Sequence, residues 1–304
     1  MLTFKIWLAV LTSSLLPFLS IAWLWKKKAR NRWDWALTFS LAGALSLLTF
    51  IATPWAFTSY YLRYLLVVLF ALAAYFSFKK IKDTHHKTPS SVGDRVTSAG
   101  KVILLLVLLS LDIVAISSYF YSSPSVELAF PFSNGVYYVI QGGNSVITSP
   151  FHRSGTNNKE DYAMDIVKLN WAGNRAAGIY PRELSSYAVF GETVYSPCNG
   201  EVIEVFDGVP DNPIGDEGHQ PSNHIVIRCQ GARVTLAHMT SGSLLIRHRQ
   251  SLEEGQPLGR VGNAGHTSEP HLHIDAVRDV PDSIEPLPIS FNRKMLSLNS
   301  IVMR

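Results

Sequence analysis

Hydrophobic and polar positions divide the chain into two unlike halves. In the first, apolar residues form nearly unbroken blocks at 6–25, 36–55, 58–78 and 102–121. Each block holds about 20 residues, the length an α-helix needs to cross a bilayer. In the second half the apolar runs shorten and are bounded by Gly, Pro or Asn. They lie at 136–140, 201–206, 224–229, 233–238 and 271–277, and all are rich in β-branched residues. Such runs read as strands, and no long segment of helical period accompanies them. The predicted architecture is a four-helix transmembrane region at 1–121, a linker at 122–127 and a mainly-β domain of antiparallel sheet at 128–304.

Charge sharpens this division. Residues 1–121 hold 13 Lys and Arg against 4 Asp and Glu, a net of +9; residues 122–304 hold 14 against 19, a net of −5. The pI near 9 therefore belongs to the membrane half. Its basic residues flank apolar blocks, so they argue for membrane topology and against a nucleic-acid surface. Lys26, Lys27, Lys28, Arg30 and Arg32 follow the first block, where a signal peptide would have its charges in front. Lys79, Lys80, Lys82, Lys87, Arg95 and Lys101 lie between the third and fourth blocks. The positive-inside rule is satisfied when both basic loops are cytoplasmic and both termini are outside. The second half is then exported.

Three further features of the membrane half bear on function. Asp112 lies in the middle of the fourth block. An intramembrane acid is either an ion or proton site or a polar contact between helices. His85 and His86 fall in a polar loop and read as solvated. No inverted repeat or pair of broken helices is present, so a transporter has little support.

Candidate chemistry concentrates in the exported half. His271 and His273 are two residues apart, behind Pro270, which disfavours helix. On a strand, residues i and i+2 share a face, so both rings enter one site. Neutral imidazole is a frequent zinc ligand and a general base, so the pair supplies ligands, a base, or one of each. Alone it is equally a chance surface pair. Asp165 sits among apolar neighbours in a strand-like run, where an acid is usually paired or metal-bound. His238 ends the apolar run Leu236-Ala237-His238. Together these residues predict one convergent site. His219 and His224 flank a Pro/Gly/Asp-rich loop at 207–223 and read as surface residues. His248 lies in an exposed basic patch. His266 and Asn263 belong to the turn before the pair, where an Asn side chain can fix loop geometry. Cys198 and Cys229, the two cysteines, border neighbouring strands. They either form one disulfide, which export permits, or remain two buried thiols.

The runs at 162–165, 236–239 and 255–259 carry a further implication. So does Gly262-Asn263-Ala264-Gly265-His266-Thr267-Ser268-Glu269-Pro270-His271-Leu272-His273. Together they resemble the M23 peptidases, the LytM- or lysostaphin-type zinc endopeptidases of peptidoglycan. The resemblance covers about 128–300 and not the membrane half. It implies a Zn2+ cofactor held by His152, Asp165 and His273, with His238 and His271 serving water and transition state. Three protein ligands leave an open position, as a catalytic zinc site requires. One departure stands out. The family spaces its first His and Asp as H-x3-D, whereas twelve residues separate His152 from Asp165. Either the polar segment 154–160 loops out, or His152 is not a ligand and the site is incomplete.

Three functions follow as expectations. The first is a zinc endopeptidase anchored in the bacterial cytoplasmic membrane, acting outside on peptidoglycan peptides. The second is a non-catalytic wall-binding or hydrolase-activating module. The third is a small membrane bundle working through Asp112. The expected partners are peptidoglycan peptides and the lipid bilayer.

Overall fold

The computed structural model describes residues 15–82, 91–121, 124–153, 160–216, 218 and 220–304. The chain forms two compact units. One is Met1–Trp55 with Ser59–Ile116; the other is Ala56–Thr58 with Ser117–Arg304.

The first unit is helical: α1 (Leu15–Lys26), α2 (Arg32–Ala52), α3 (Leu62–Lys82) and α4 (Val92–Ser117). The last three are long and apolar enough to cross a membrane. The start of the block at 6–25 lies outside the described residues, as do His85 and His86. Capping explains where the helices depart from their apolar blocks. Asn31 accepts the Asp34 amide through its side chain and starts α2 four residues ahead of its block. Thr53, extended before Pro54, ends it. Ser91 and Asp94 exchange side-chain-to-backbone hydrogen bonds, a capping box. That box starts α4 ten residues early, so the helix absorbs part of the basic loop expected at 79–101. Ile21, Leu24, Ala42, Trp55, Leu66 and Ala73 form the core of this unit.

The buried acids of this unit behave differently from one another. Asp112 is buried, and neither carboxylate oxygen has a hydrogen-bond partner among the described residues. Asp34 accepts from both Lys27 and Lys101, at 2.8 and 2.7 Å, and so ties α2 to α4 and to the residue after α1. Arg63 is buried with its guanidinium over the Phe50 ring.

The second unit is mainly β. Its strands begin with β1 (Val126–Leu128), β2 (Val136–Gln141), β3 (Met164–Leu169), β4 (Thr193–Tyr195), β5 (Gly200–Phe206), β6 (His224–Cys229) and β7 (Ala232–Ala237). They continue with β8 (Ser251–Leu252), β9 (Pro257–Arg260), β10 (Leu272–Val280), β11 (Ser283–Pro286), β12 (Ile289–Phe291), β13 (Lys294–Met295) and β14 (Ile301–Met303). One nine-stranded antiparallel sheet runs β14-β2-β3-β10-β7-β6-β5-β8, with β11 paired to β10. The segment read as a linker ends sooner than expected, because Val126 already pairs with Ile289 in the parallel β1–β12 ladder.

Alternation places Ile225, Ile227, Val234, Leu236, Leu272 and Ile274 in the core of this unit. Cys198 and Cys229 form a disulfide between the approach to β5 and the end of β6, with Cα atoms 6.0 Å apart. Closing a loop of that length restricts the unfolded chain by roughly 3–4 kcal/mol. The double substitution Cys198→Ser, Cys229→Ser is expected to lower the stability of the unit by about that amount. Pulse proteolysis of the full-length protein in urea measures it, and an unchanged midpoint contradicts it.

Candidate functional site

The site is laid out by strand register. In the ladder β3–β10, Asp165 stands opposite His273; in the ladder β10–β7, His273 stands opposite Ala237. Directly opposed residues of an antiparallel pair point to the same face. One row across three neighbouring strands therefore carries the acid, the second histidine of the pair and the residue before His238. His238 lies one residue past β7, in a left-handed backbone conformation with φ +66°. His is among the residues that enter this region more readily than most, and it turns the ring back over the row. His271 lies one residue before β10.

His152 comes from a single helical turn, α5 (Pro150–Arg153), and is buried with its Nδ1 2.9 Å from Ser149 Oγ. Residues 154–159, most of the polar insertion, lie outside the described residues. The twelve-residue separation still leaves His152 Nε2 3.3 Å from Asp165 Oδ1.

Asp165 is the hub. Its Oδ1 also lies 3.1 Å from His273 Nδ1 and 3.4 Å from His271 Nε2. These separations are longer than strong charge-assisted hydrogen bonds. Those of His152 and His273, 3.3 and 3.1 Å, lie near the edge of a tetrahedron around a shared ion, about 3.3 Å for legs of 2.0–2.1 Å. The ligand atoms of His152, Asp165 and His273 all fall within 4.8 Å of one another. Among the described residues this is the group of three or more so arranged. Two imidazoles, one carboxylate and no thiolate form a donor set suited to Zn2+.

Electrostatics follow from burial. Desolvation alone would raise the Asp165 carboxyl, but His152 and His271 beside it, with hydrogen bonds from His152 and His273, hold it well below the usual carboxylate range. Burial opposes a charged His273, yet Asp165 and Asp275 together lift it well above the usual imidazole range. Burial, with His271 and His273 nearby, pushes His238 well below that range. His238 is thus held neutral.

The two remaining rings are aimed by backbone carbonyls. His238 Nδ1 donates to Ala264 O and His271 Nδ1 donates to Glu269 O, each at 2.9 Å. A nitrogen that donates carries the proton, so the neutral His238 ring keeps its lone pair on Nε2, while Nε2 of His271 is the nitrogen that faces Asp165. The two ring centroids lie 4.7 Å apart. Both carbonyls belong to the turn 262–270.

Several residues escaped the sequence reading. Asp275 Oδ2 lies 3.4 Å from His273 Nε2, and Asp275 itself accepts from Thr235. A carboxylate behind a ligating histidine fixes its orientation. Extending the alternation of His271 and His273 by two residues would have found it. Arg175 grips Glu269 through two hydrogen bonds of 2.7 and 2.6 Å. That partner is 94 residues away, with no local signal. Of the other histidines, His224 is half-buried against Glu204 and Ser222, His248 and His266 are exposed, and His219 lies outside the described residues.

Comparisons with known proteins fall on the same unit. Residues 185–286 match the model of peptidase family M23. The matched stretch holds His238, His271 and His273; His152 and Asp165 precede it. No curated protein matches the chain. A candidate M23 peptidase from Pseudomonas aeruginosa is 17% identical over 60% of this chain and 57% of that one, with a TM-score of 0.29. Lysostaphin from Staphylococcus simulans is 14% identical over 51% of this chain and 43% of its own, with a TM-score of 0.27. The catalytic domain of the prophage-encoded M23 protein EnpA from Enterococcus faecalis is 15% identical over 57% of this chain and 94% of its own, with a TM-score of 0.29. The chain therefore spans less than two thirds of the first two.

The turn before the histidine pair carries its own requirement. Gly265 has φ +88°, and a Cβ there would collide with the backbone of Ser222. Gly265→Ala is expected to cost at least about 1–3 kcal/mol from the backbone conformation. A urea midpoint equal to that of the unsubstituted protein would show that this approach is not needed.

Proposed function

From the M23 peptidase domain at residues 185–286, we propose that this protein is a zinc-dependent endopeptidase anchored in the bacterial cytoplasmic membrane. It hydrolyses peptide bonds of peptidoglycan stem or cross-link peptides. The observation that carries the reading is the convergence of His152, His271 and His273 on Asp165 Oδ1, at 3.1–3.4 Å.

In this reading His152, Asp165 and His273 hold the metal, and Asp275 orients His273. Zinc, when bound, acidifies water and polarises a carbonyl. His238 offers Nε2 as a free base, and the His271 ring lies beside it with its Nε2 3.4 Å from Asp165 Oδ1. One takes a proton from the attacking water, and the proton is returned to the leaving amine. The imidazolium formed stabilises the developing oxyanion. The burial that holds His238 neutral keeps it available as a base.

The helices α2, α3 and α4 anchor the enzyme, with the basic segments before α2 and between α3 and α4 on the cytoplasmic side and the β unit outside. The Cys198–Cys229 disulfide suits that compartment. A second reading, a wall-binding or hydrolase-activating module without a metal, rests on the family match beginning at residue 185, past His152 and Asp165.

Metal analysis separates the two. The enzyme reading expects about one zinc per full-length chain, lost in His273→Ala and after chelation. A metal-free protein that still binds cell walls would establish the module instead. His271→Ala is expected to retain zinc and to lower kcat about 10²–10⁴-fold on cross-linked peptidoglycan fragments. Unchanged turnover in that variant would remove His271 from the chemistry.

A further inference from the structure

The turn that aims His238 and His271 is itself held by a loop distant in sequence. Asp211 Oδ1 accepts the Asn263 amide at 2.6 Å and lies against Gly262, where a Cβ would strike it. Asn212 donates through its side chain to Gly265 O at 2.5 Å, and its backbone N–H donates to Asn263 O at 2.9 Å. Asn263 returns a side-chain hydrogen bond to Asn212 O at 2.9 Å. Gly215 N–H reaches Ser268 O at 3.0 Å. Asn223, at the far end of the loop, is buried and ties Val209 to Met239, the residue after His238. Ala264 O, which accepts the hydrogen bond from His238 Nδ1, lies between the two clamped residues Asn263 and Gly265.

We propose that Asp211 and Asn212 are positioning residues of the site. They hold the 263–265 backbone so that Ala264 O fixes the His238 ring with its proton on Nδ1 and its Nε2 lone pair free. The inference rests on the peptidase reading for its kinetic consequence, but not for its geometric one. Neither residue reaches His152, Asp165 or His273, so loading of the metal is left untouched. What changes without the clamp is the aim of His238.

The test uses the full-length protein in detergent, with 15N-labelled histidine. The variants are Asp211→Ala, which removes the acceptor, Asp211→Asn, which keeps an acceptor oxygen, and Asn212→Ala. Three quantities are read: zinc per chain, the His238 tautomer from ring nitrogen shifts, and kcat and KM on a peptidoglycan cross-link peptide. Asp211→Ala is expected to keep its zinc, to lose the fixed Nδ1–H form of His238, and to lower kcat at least tenfold with KM within about twofold. Asp211→Asn is expected to retain the tautomer and stay within about threefold in kcat. If Asp211→Ala keeps both the tautomer and kcat, or if Asp211→Asn fails as badly, the positioning role is overturned. Should Asp211→Ala not fold, Asn212→Ala must show the same loss of the tautomer with zinc retained, and a wild-type His238 signal there overturns it. A wild-type protein that cleaves nothing sinks the peptidase reading alone, because the tautomer still reports on the clamp.

Discussion

A buried carboxylate is the constraint around which the β unit is arranged. Asp165 is withdrawn from water in the middle of an antiparallel sheet, where an unpaired charge would be costly. Three imidazole nitrogens at 3.1–3.4 Å offset that cost. Each arrives by a different route: His273 through the β3–β10 register, His271 from the residue leading into β10, His152 from a separate helical turn. A slip of one residue between β3 and β10 would turn His273 to the opposite face and leave the acid exposed to apolar packing. The sheet register and the site are therefore one specification, and the neighbouring apolar residues Ile166, Leu272 and Ile274 enforce it by burial on the other face.

Much of this was legible in the residues. Short β-branched runs bounded by Gly and Pro marked β2, β5, β6 and β7 to within a residue, because alternation and turn chemistry are local. Strand β10 runs three residues past its predicted end, and the short strands β1, β4, β8, β9 and β11 to β14 had no such run. The His271/His273 pair announced a shared face for the same reason. The helix ends of the membrane unit were less legible, since hydropathy marks the apolar block while caps such as Asn31 and the Ser91/Asp94 box set the start. His238 was read as part of a strand, yet it lies just beyond one with positive φ. What could not be read were partners fixed by tertiary folding alone: Arg175 with Glu269, and Asp211 with Asn263. Nothing near either member in sequence signals the other.

The membrane unit gives a similar lesson with the opposite emphasis. Asp112 attracted attention because it interrupts an apolar block. The acid with a visible structural task is Asp34, which receives two lysines from other segments. Its sequence neighbourhood, polar and interfacial, made it unremarkable. An acid in an apolar setting is easily noticed, whereas an acid at a helix start gains its meaning from what folds against it.

The β unit separates two kinds of precision. The three metal-suited donors depend on strand register and one helical turn, which are rigid because the central strands β3, β10 and β7 are paired on both sides. The two remaining rings depend on carbonyls of a turn, which has no ladder of its own to hold it. A turn so placed needs external supports. It has one on each flank, the Asp211/Asn212 clamp near Ala264 and the Arg175 grip on Glu269. Both reach the turn from distant parts of the chain, outside the ladder that sets Asp165 opposite His273. The metal-suited donors and the aim of the proton-handling rings are thus held by different parts of the fold.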